Sequence, residues 1–129
     1  MHISREQCVQ AEKVASSSVR FDLEPIQLGM GGSPWRVIVA SQLFQRARNG
    51  RIERVLEELL KTYPEAAWLA RADMDRLVAI LKPCGLHLSR ARQLVRMSSA
   101  YTSDVWSDLR DLAGVGPYVL ECVAKYCLG

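Results

Sequence analysis

The sequence predicts an all-α domain of about six to seven helices, the last two of which are short and joined by a tight hairpin. Hydrophobic residues make up 49% of its 129 residues, which is enough for one domain spanning 1–129 to bury a core. Segment 34–47 is apolar on nearly every side, as a central helix would be. No segment alternates apolar and polar residues with the two-residue period of a strand.

The chain before the central helix predicts one helix and one long loop. Residues 4–19 predict the first helix, and residues 20–33 predict the loop. The residues expected loosely on one side of that helix are Val9, Lys13 and Val14. Ser33 then predicts an N-cap for the central helix, with Pro34 at its first position.

Three more helices are predicted between the central helix and the hairpin. A one-face apolar stripe predicts the first of them and consists of Ile52, Val55, Leu56, Leu59 and Leu60. Tyr63 and Pro64 end that helix, residues 68–70 form a turn, and Asp73 is expected to cap the next helix, which stops at Gly85. The third opens at Leu88 or Ser89. Its inward side chains are predicted to be Ala91, Leu94, Val95, Ser98 and Tyr101, and its outward ones Arg90, Arg92 and Arg96.

The hairpin lies between two predicted short helices within 105–128. Asp104 is expected to cap the first, whose apolar positions are Val105, Leu109 and Leu112. Gly114 and Gly116 allow positive φ and a sharp turn, while Val115 points back into the core. Pro117 starts the second helix, so the amides of Tyr118 and Val119 should face outward and form an anion site.

Charge and cysteine content narrow the class of protein. The net charge is only +3, but two arginine clusters suit phosphate: one at 46–54, and one between 76 and 103, where no acidic residue occurs. An arginine-rich solvated surface is the alternative reading of these clusters. The four cysteines lack metal-finger spacing and predict reduced thiols. Without a long apolar run or a signal peptide, we expect an intracellular, soluble protein with no membrane partner.

Three ordered segments carry a resemblance to a known family. They are Ser33-Pro34-Trp35 through Gln45-Arg46-Ala47, Leu81 through Leu86 followed by Arg90-Ala91, and Leu112-Ala113-Gly114-Val115-Gly116-Pro117-Tyr118. Together they resemble the helix-hairpin-helix DNA glycosylase superfamily, which includes endonuclease III and the adenine and thymine mismatch glycosylases. The resemblance covers residues 33–129.

This resemblance implies double-stranded DNA as the partner. In the family, the hairpin holds a DNA phosphate through backbone amides, often with a monovalent cation, which here would lie at the backbone of Leu112 and Gly114. The residues expected to bind DNA are Gln45, Arg46, Arg90, Arg92, Gly114, Val115, Gly116, Tyr118 and Val119. Gln45 would enter the gap left by a flipped base, with a polar helix end as the alternative. The family's four-cysteine pattern is missing, so no iron–sulfur cluster is expected.

The resemblance also bears on catalysis. Bifunctional members have a lysine at the position of Tyr118, and a phenol cannot form their Schiff base. Tyrosine there is similar to the thymine and uracil mismatch glycosylases, although it is also compatible with simple packing on the hairpin. Ser41 stands where adenine glycosylases have a glutamate, which disfavours that activity. The family's catalytic aspartate would lie beyond Gly129, and Glu121 is the carboxylate nearest in sequence to the anion site.

Two functions therefore remain open at this point. One is a thymine or uracil DNA glycosylase of base excision repair, with its second lobe incomplete. The other is a non-catalytic DNA-binding module or a remnant of such a glycosylase, while a helical protein-interaction domain would require the three segments to match by coincidence. Because family members have further C-terminal helices, we also expect self-association or a second chain that completes the fold.

Overall fold

The computed structural model describes residues 1–15, 33–45, 50–85 and 87–128 of the chain. Within these ranges it contains seven α-helices and no strand, which confirms the predicted fold class. The helices are α1 (Arg5–Ala15), α2 (Pro34–Phe44), α3 (Gly50–Thr62), α4 (Ala66–Ala70), α5 (Met74–Leu81), α6 (His87–Thr102) and α7 (Pro117–Val123). None of these helices is both long and apolar enough to cross a lipid bilayer.

Helix α2 is the centre of the domain, as its composition predicts. Every residue of α2 except Arg36 is buried. Ser33 Oγ accepts a hydrogen bond from the Arg36 amide at 3.3 Å, so the predicted N-cap is confirmed. The indole Nε1 of Trp35 donates to Ser98 Oγ on α6 at 2.9 Å, which satisfies both polar groups inside the core.

Helix α1 exposes the side on which the sequence groups Val9, Lys13 and Val14. Val9 and Val14 are exposed, at 39% and 74%, as is Lys13, while Cys8 is fully buried. The orientation of α1 is fixed by backbone and side-chain bonds that the apolar pattern does not encode. The Leu109 amide donates to the Ile3 carbonyl at 2.8 Å. Further along α1, Glu12 Oε2 accepts from the Trp35 amide at 3.2 Å and from the Tyr101 hydroxyl at 2.7 Å.

The middle helices agree with the sequence in most boundaries, although α6 begins at His87 and not at the predicted Leu88 or Ser89. The stripe of α3 is buried as predicted, and α5 ends through a 3₁₀ turn at Gly85, whose φ is +69°. The turn predicted at 68–70 is instead part of the short helix α4, because Leu69 is fully buried and anchors it. Asp73 stands at the N-cap of α5, but its side chain makes no capping bond. The predicted loop and the end of the first helix, residues 16–32, lie outside the described ranges.

The helix predicted over Val105–Leu112 is wrong. Val105 is 85% exposed, and the segment contains only one 3₁₀ turn, Leu109–Asp111. Trp106 holds the chain back against α6, because its ring stacks on Tyr101 with 5.6 Å between centroids and its Nε1 donates to the Tyr101 carbonyl at 3.3 Å. The cap is therefore made by Asp108, whose Oδ1 accepts from the Arg110 amide at 3.0 Å, and the predicted cap Asp104 is exposed.

Candidate nucleic-acid interface

The hairpin consists of residues 112–116 and turns at a single left-handed glycine. Gly114 has φ +75°, a conformation that an L side chain adopts only at a cost. The Val115 amide donates to the Leu112 carbonyl at 3.2 Å, and the Val115 side chain is buried as predicted. Gly116 has φ −116°, so the positive φ predicted for this second glycine is wrong.

Two glutamines attach the hairpin to the helices behind it. Gln42 of α2 donates from Nε2 to the Ala113 carbonyl at 2.9 Å. The side-chain amide of Gln93 on α6 packs so closely on Gly114 that a Cβ there would overlap it, and the same Cβ would lie 2.8 Å from Gln42 Nε2. The backbone of the hairpin is therefore held in one position by side chains from two helices.

Helix α7 begins at the hairpin as the sequence predicts. Gly116 is its N-cap and Pro117 its first residue. The hydrogen-bond ladder starts with the Leu120 amide donating to the Gly116 carbonyl at 3.0 Å, so the amides ahead of it point toward the N-terminal end of the helix. The side chain of Val119 is buried, whereas Tyr118 is 39% exposed. A ring at the surface beside the hairpin is thus available to a ligand.

The Arg90 side chain does not extend into solvent, so the prediction that it faces outward is wrong. Its side chain is half-buried, and Nη1 donates to the Gln42 carbonyl at 3.1 Å near the C-terminal end of α2, where a cation complements the helix dipole. Arg92 is exposed as predicted. Gln45 is exposed and is the C-cap of α2, at the same end of that helix as Gln42. Arg46 lies outside the described residues.

Four buried polar atoms without a hydrogen-bond partner in the described ranges belong to residues near the end of α2 and the beginning of α6. Ser41 Oγ, Gln42 Oε1, His87 Nδ1 and Arg90 Nε are all buried and make no hydrogen bond within the described ranges. They belong to the end of α2 and the beginning of α6, the two helix ends that the bond from Arg90 to Gln42 joins. Because an unsatisfied buried polar group is costly, water or a ligand is expected to supply partners for these atoms.

Sequence reasoning missed Gln42 and Gln93 as members of this site, whereas His87 falls within the predicted basic cluster between 76 and 103. A signal was present for Gln42, since a glutamine inside a helix that is otherwise apolar requires a polar partner when it is buried. No comparable signal marks Gln93, because its side chain meets Gly114 only once the chain has folded. Glu121, the carboxylate suggested by its sequence position, is exposed on α7.

The four cysteines are free thiols, of which Cys8 and Cys122 are buried and Cys84 and Cys127 are half-buried. Burial raises the pKa of Cys84, while the Arg90 guanidinium lowers it. Burial, with a contribution from the Glu12 carboxylate, raises the pKa of Cys8 to about 12. All four cysteines are free. Within the described ranges, no group of three or more His, Cys, Asp or Glu side chains could hold a metal ion.

Comparison with known proteins shows a relationship to DNA glycosylases over about three quarters of the chain. It is 32% identical over 105 residues to the thymine/uracil-DNA glycosylase of Pyrobaculum aerophilum, covering 76% of the chain and 46% of that protein. It is 29% identical over 103 residues to the thymine-DNA glycosylase of Aeropyrum pernix, covering 74% and 46%. No protein-family model matches the sequence.

A plant protein gives a third similarity. The chain is 27% identical over 96 residues to the methyl-CpG-binding domain protein 4-like protein of Arabidopsis thaliana, covering 74% of the chain and 22% of that protein. The chain thus spans less than half the length of each of these relatives. These similarities confirm that the chain is related to DNA glycosylases, as the three sequence segments predicted.

Proposed function

We propose that the chain binds duplex DNA through the hairpin and the start of α7, and takes part in removing thymine or uracil opposite guanine in base excision repair. The observation that carries this proposal is the fixed hairpin, whose Ala113 carbonyl is bound by Gln42 while Gly114 takes the left-handed conformation. A preorganised backbone at the surface suits phosphate, because amide groups can bind it without regard to sequence. The names of the relatives support the choice of DNA.

The space in front of the hairpin supports the same assignment. A Cβ added to Gly116 would meet nothing within 4 Å, so a phosphate could approach the amides of Tyr118 and Val119 there. Arg92 would add a side-chain contact to the backbone of the DNA, and Gln45 would enter the duplex. Arg46, which lies outside the described residues, is proposed to contact a DNA phosphate as well.

A monovalent cation at the carbonyls of Leu112 and Gly114 also belongs to the proposal. The Leu112 carbonyl already accepts from Val115 at 3.2 Å and keeps a second lone pair for a cation. The residues present therefore fit such an ion. Duplex affinity measured in potassium against tetramethylammonium at equal ionic strength tests this part, and equal affinities would remove the cation from the proposal.

The proposed chemistry is hydrolysis without strand cleavage. The target nucleotide leaves the stack, water adds to C1′ of the sugar, and the bond to the base breaks as the base takes up a proton. Tyr118 lies beside the hairpin and has no amine with which to attack the sugar. Glu121, one turn further along α7, is the candidate carboxylate for stabilising the positive charge that develops on the sugar.

A non-catalytic DNA-binding module is the second candidate function. The exposure of Glu121 favours it, because a carboxylate in water stabilises a cationic transition state far less than a buried, preorganised one. In this alternative the hairpin and its arginines bind DNA, and the excision chemistry depends on a residue that another polypeptide or a continuation of the chain supplies.

Gly116→Ala tests the binding surface without disturbing the fold. The methyl group would occupy the space proposed for a phosphate, so duplex affinity should fall severalfold while the urea midpoint of the protein stays close to that of the wild type. Arg92→Gln should flatten the slope of log K against log salt by about one. Lys61→Gln, an exposed change on α3, is the charge-matched control. Unchanged affinity for Gly116→Ala would contradict the hairpin as the binding element.

Excision is tested with duplexes that carry thymine or uracil opposite guanine, followed by alkaline cleavage of abasic sites. Product that depends on Glu121 supports the enzyme, whereas duplex binding without product supports the module. Strand cleavage without alkali would contradict both, since it requires an amine nucleophile. A second chain that supplies a C-terminal aspartate should restore excision to an otherwise inactive protein.

A further inference from the structure

A groove lies between the end of α3, helix α4 and the beginning of α5. Its volume is about 390 Å³, near the lower end of the range for small-ligand sites. The side chains that define it, here called the Trp68 groove, are Tyr63, Trp68, Arg71, Asp73 and Arg76. None of them belongs to the hairpin site.

The Trp68 groove lies near the N-terminal end of α2, whereas the hairpin is attached near its C-terminal end. Arg36, in the first turn of α2, donates to the Pro64 carbonyl at 2.6 Å, next to Tyr63. Gln42, which holds the hairpin, comes six residues later in the same helix, or about 9 Å further along its axis. The groove and the hairpin site therefore share no lining residue.

Trp68 presents an aromatic surface that nothing in the described structure covers. It is 59% exposed, whereas Trp35 and Trp106 are 2% and 6% exposed. An indole left in water at a groove is a platform on which a planar ring can stack. The neighbouring Leu69 is fully buried and fixes the short helix that holds Trp68 at the surface.

Tyr63 adds an unsatisfied polar atom to the same groove. The residue is only 6% exposed, and its hydroxyl is buried without a hydrogen-bond partner in the described part of the chain. Burial raises the pKa of this phenol, which the nearby Arg76 guanidinium opposes. A buried hydroxyl of this kind is costly unless a ligand supplies its partner.

The charges around the groove favour an anion. Arg71 and Arg76 are exposed and form no ion pair with any residue of the described ranges. Two guanidinium groups against the single carboxylate of Asp73 leave one net positive charge. Guanidinium groups bind phosphate through their planar fork, and the Asp73 carboxylate can accept a hydrogen bond from the N–H of a base.

We propose that the Trp68 groove binds a nucleotide unit, with its base stacked on Trp68 and its phosphate held by Arg71 and Arg76. The unit comes either from a single-stranded DNA segment or from a free mononucleotide. An aromatic platform beside positive charges is the combination by which proteins hold unpaired nucleotides irrespective of sequence. The Tyr63 hydroxyl, whose oxygen has no exposed surface, donates to the nucleotide only if the side chains around it move on binding.

Tryptophan fluorescence tests this proposal on the intact chain, because Trp68 is the exposed indole and the two others are buried. The probes are an oligothymidylate of about eight nucleotides and thymidine monophosphate. Stacking should quench the emission, and Trp68→Ala should weaken binding by roughly tenfold or more, the loss typical of one stacked base. Trp68→Phe should recover part of the affinity.

Variants of the charged and hydroxyl groups distinguish binding in the Trp68 groove from non-specific electrostatic attraction to the protein. Arg71→Gln with Arg76→Gln should weaken binding, whereas Lys13→Gln with Lys125→Gln, two exposed lysines outside both arginine clusters, should have little effect. Tyr63→Phe should weaken binding without lowering the urea midpoint. Quenching by the oligonucleotide alone identifies a DNA strand, and equal quenching by the monophosphate identifies a free nucleotide.

Three results would overturn the proposal. They are no quenching by either probe at millimolar concentration, binding that Trp68→Ala leaves unchanged, and equal binding of polyglutamate. The last would show that the two arginines attract any polyanion, including an acidic peptide.

Discussion

Replacing Gly114 by alanine should destabilise the protein by roughly 2–5 kcal/mol. Placing an L residue at φ +75° costs about 1–2 kcal/mol. The added Cβ would overlap the Gln93 amide and lie 2.8 Å from Gln42 Nε2, which displaces the donor of the 2.9 Å bond to Ala113. A displaced buried hydrogen bond costs about 1–3 kcal/mol.

Gly116→Ala is the matched control, two residues away. Its φ of −116° suits any residue, and a Cβ there meets nothing within 4 Å. Losing the glycine N-cap destabilises the fold, whereas the reduced entropy of the unfolded chain stabilises it. The free energy of unfolding should therefore change by no more than about 1 kcal/mol. Urea unfolding followed by circular dichroism, at constant m-value, measures both variants.

The double variant Gly114→Ala with Gln93→Ala separates the cost of the positive φ at position 114 from the cost of the overlap with the Gln93 side chain. Removing the Gln93 side chain gives the new methyl group room, so the double variant should be less destabilised than the sum of the two single changes. Equal destabilisation by alanine at the two glycines, or a Gly114→Ala change below about 0.5 kcal/mol, would refute the reasoning about the hairpin.

Three further predictions follow from the buried and paired groups. Ser98→Ala leaves a buried indole N–H without its acceptor and should cost about 1–3 kcal/mol in urea unfolding, whereas the exposed neighbour Ser99→Ala should change little. The hydrogen bonds from Arg110 hold the pKa of Asp108 below its ordinary value of 3.8, so this pair stabilises the fold above that pH and loses its effect as the pH falls below it. The stability advantage of the wild type over Asp108→Asn should therefore shrink in acid, and a constant difference from pH 7 downward would contradict the pairing. Cys8, with a pKa of about 12, should resist iodoacetamide at about pH 8 in the folded protein and react once it is unfolded, as mass spectrometry of the digest would show.

Local sequence determined the helices and the turn. The all-α class, the cap of α2 by Ser33, the stripe of α3 and the start of α7 at Pro117 were all predicted, because capping bonds and apolar periodicity act within a few residues. The motifs also predicted the relationship to DNA glycosylases. The proposed roles of Tyr118, Gln45 and Arg92 stay predictions.

Tertiary structure decided which side chains meet. Trp106 stacks on Tyr101 and prevents the helix predicted before the hairpin, and the Leu109 amide binds the Ile3 carbonyl just before α1. Gln42 and Arg90 are brought together from positions 48 residues apart, so neither spacing nor charge pattern could place Arg90 inside. These outcomes depend on packing and hydrogen bonds between distant segments, whose energies a local pattern does not contain.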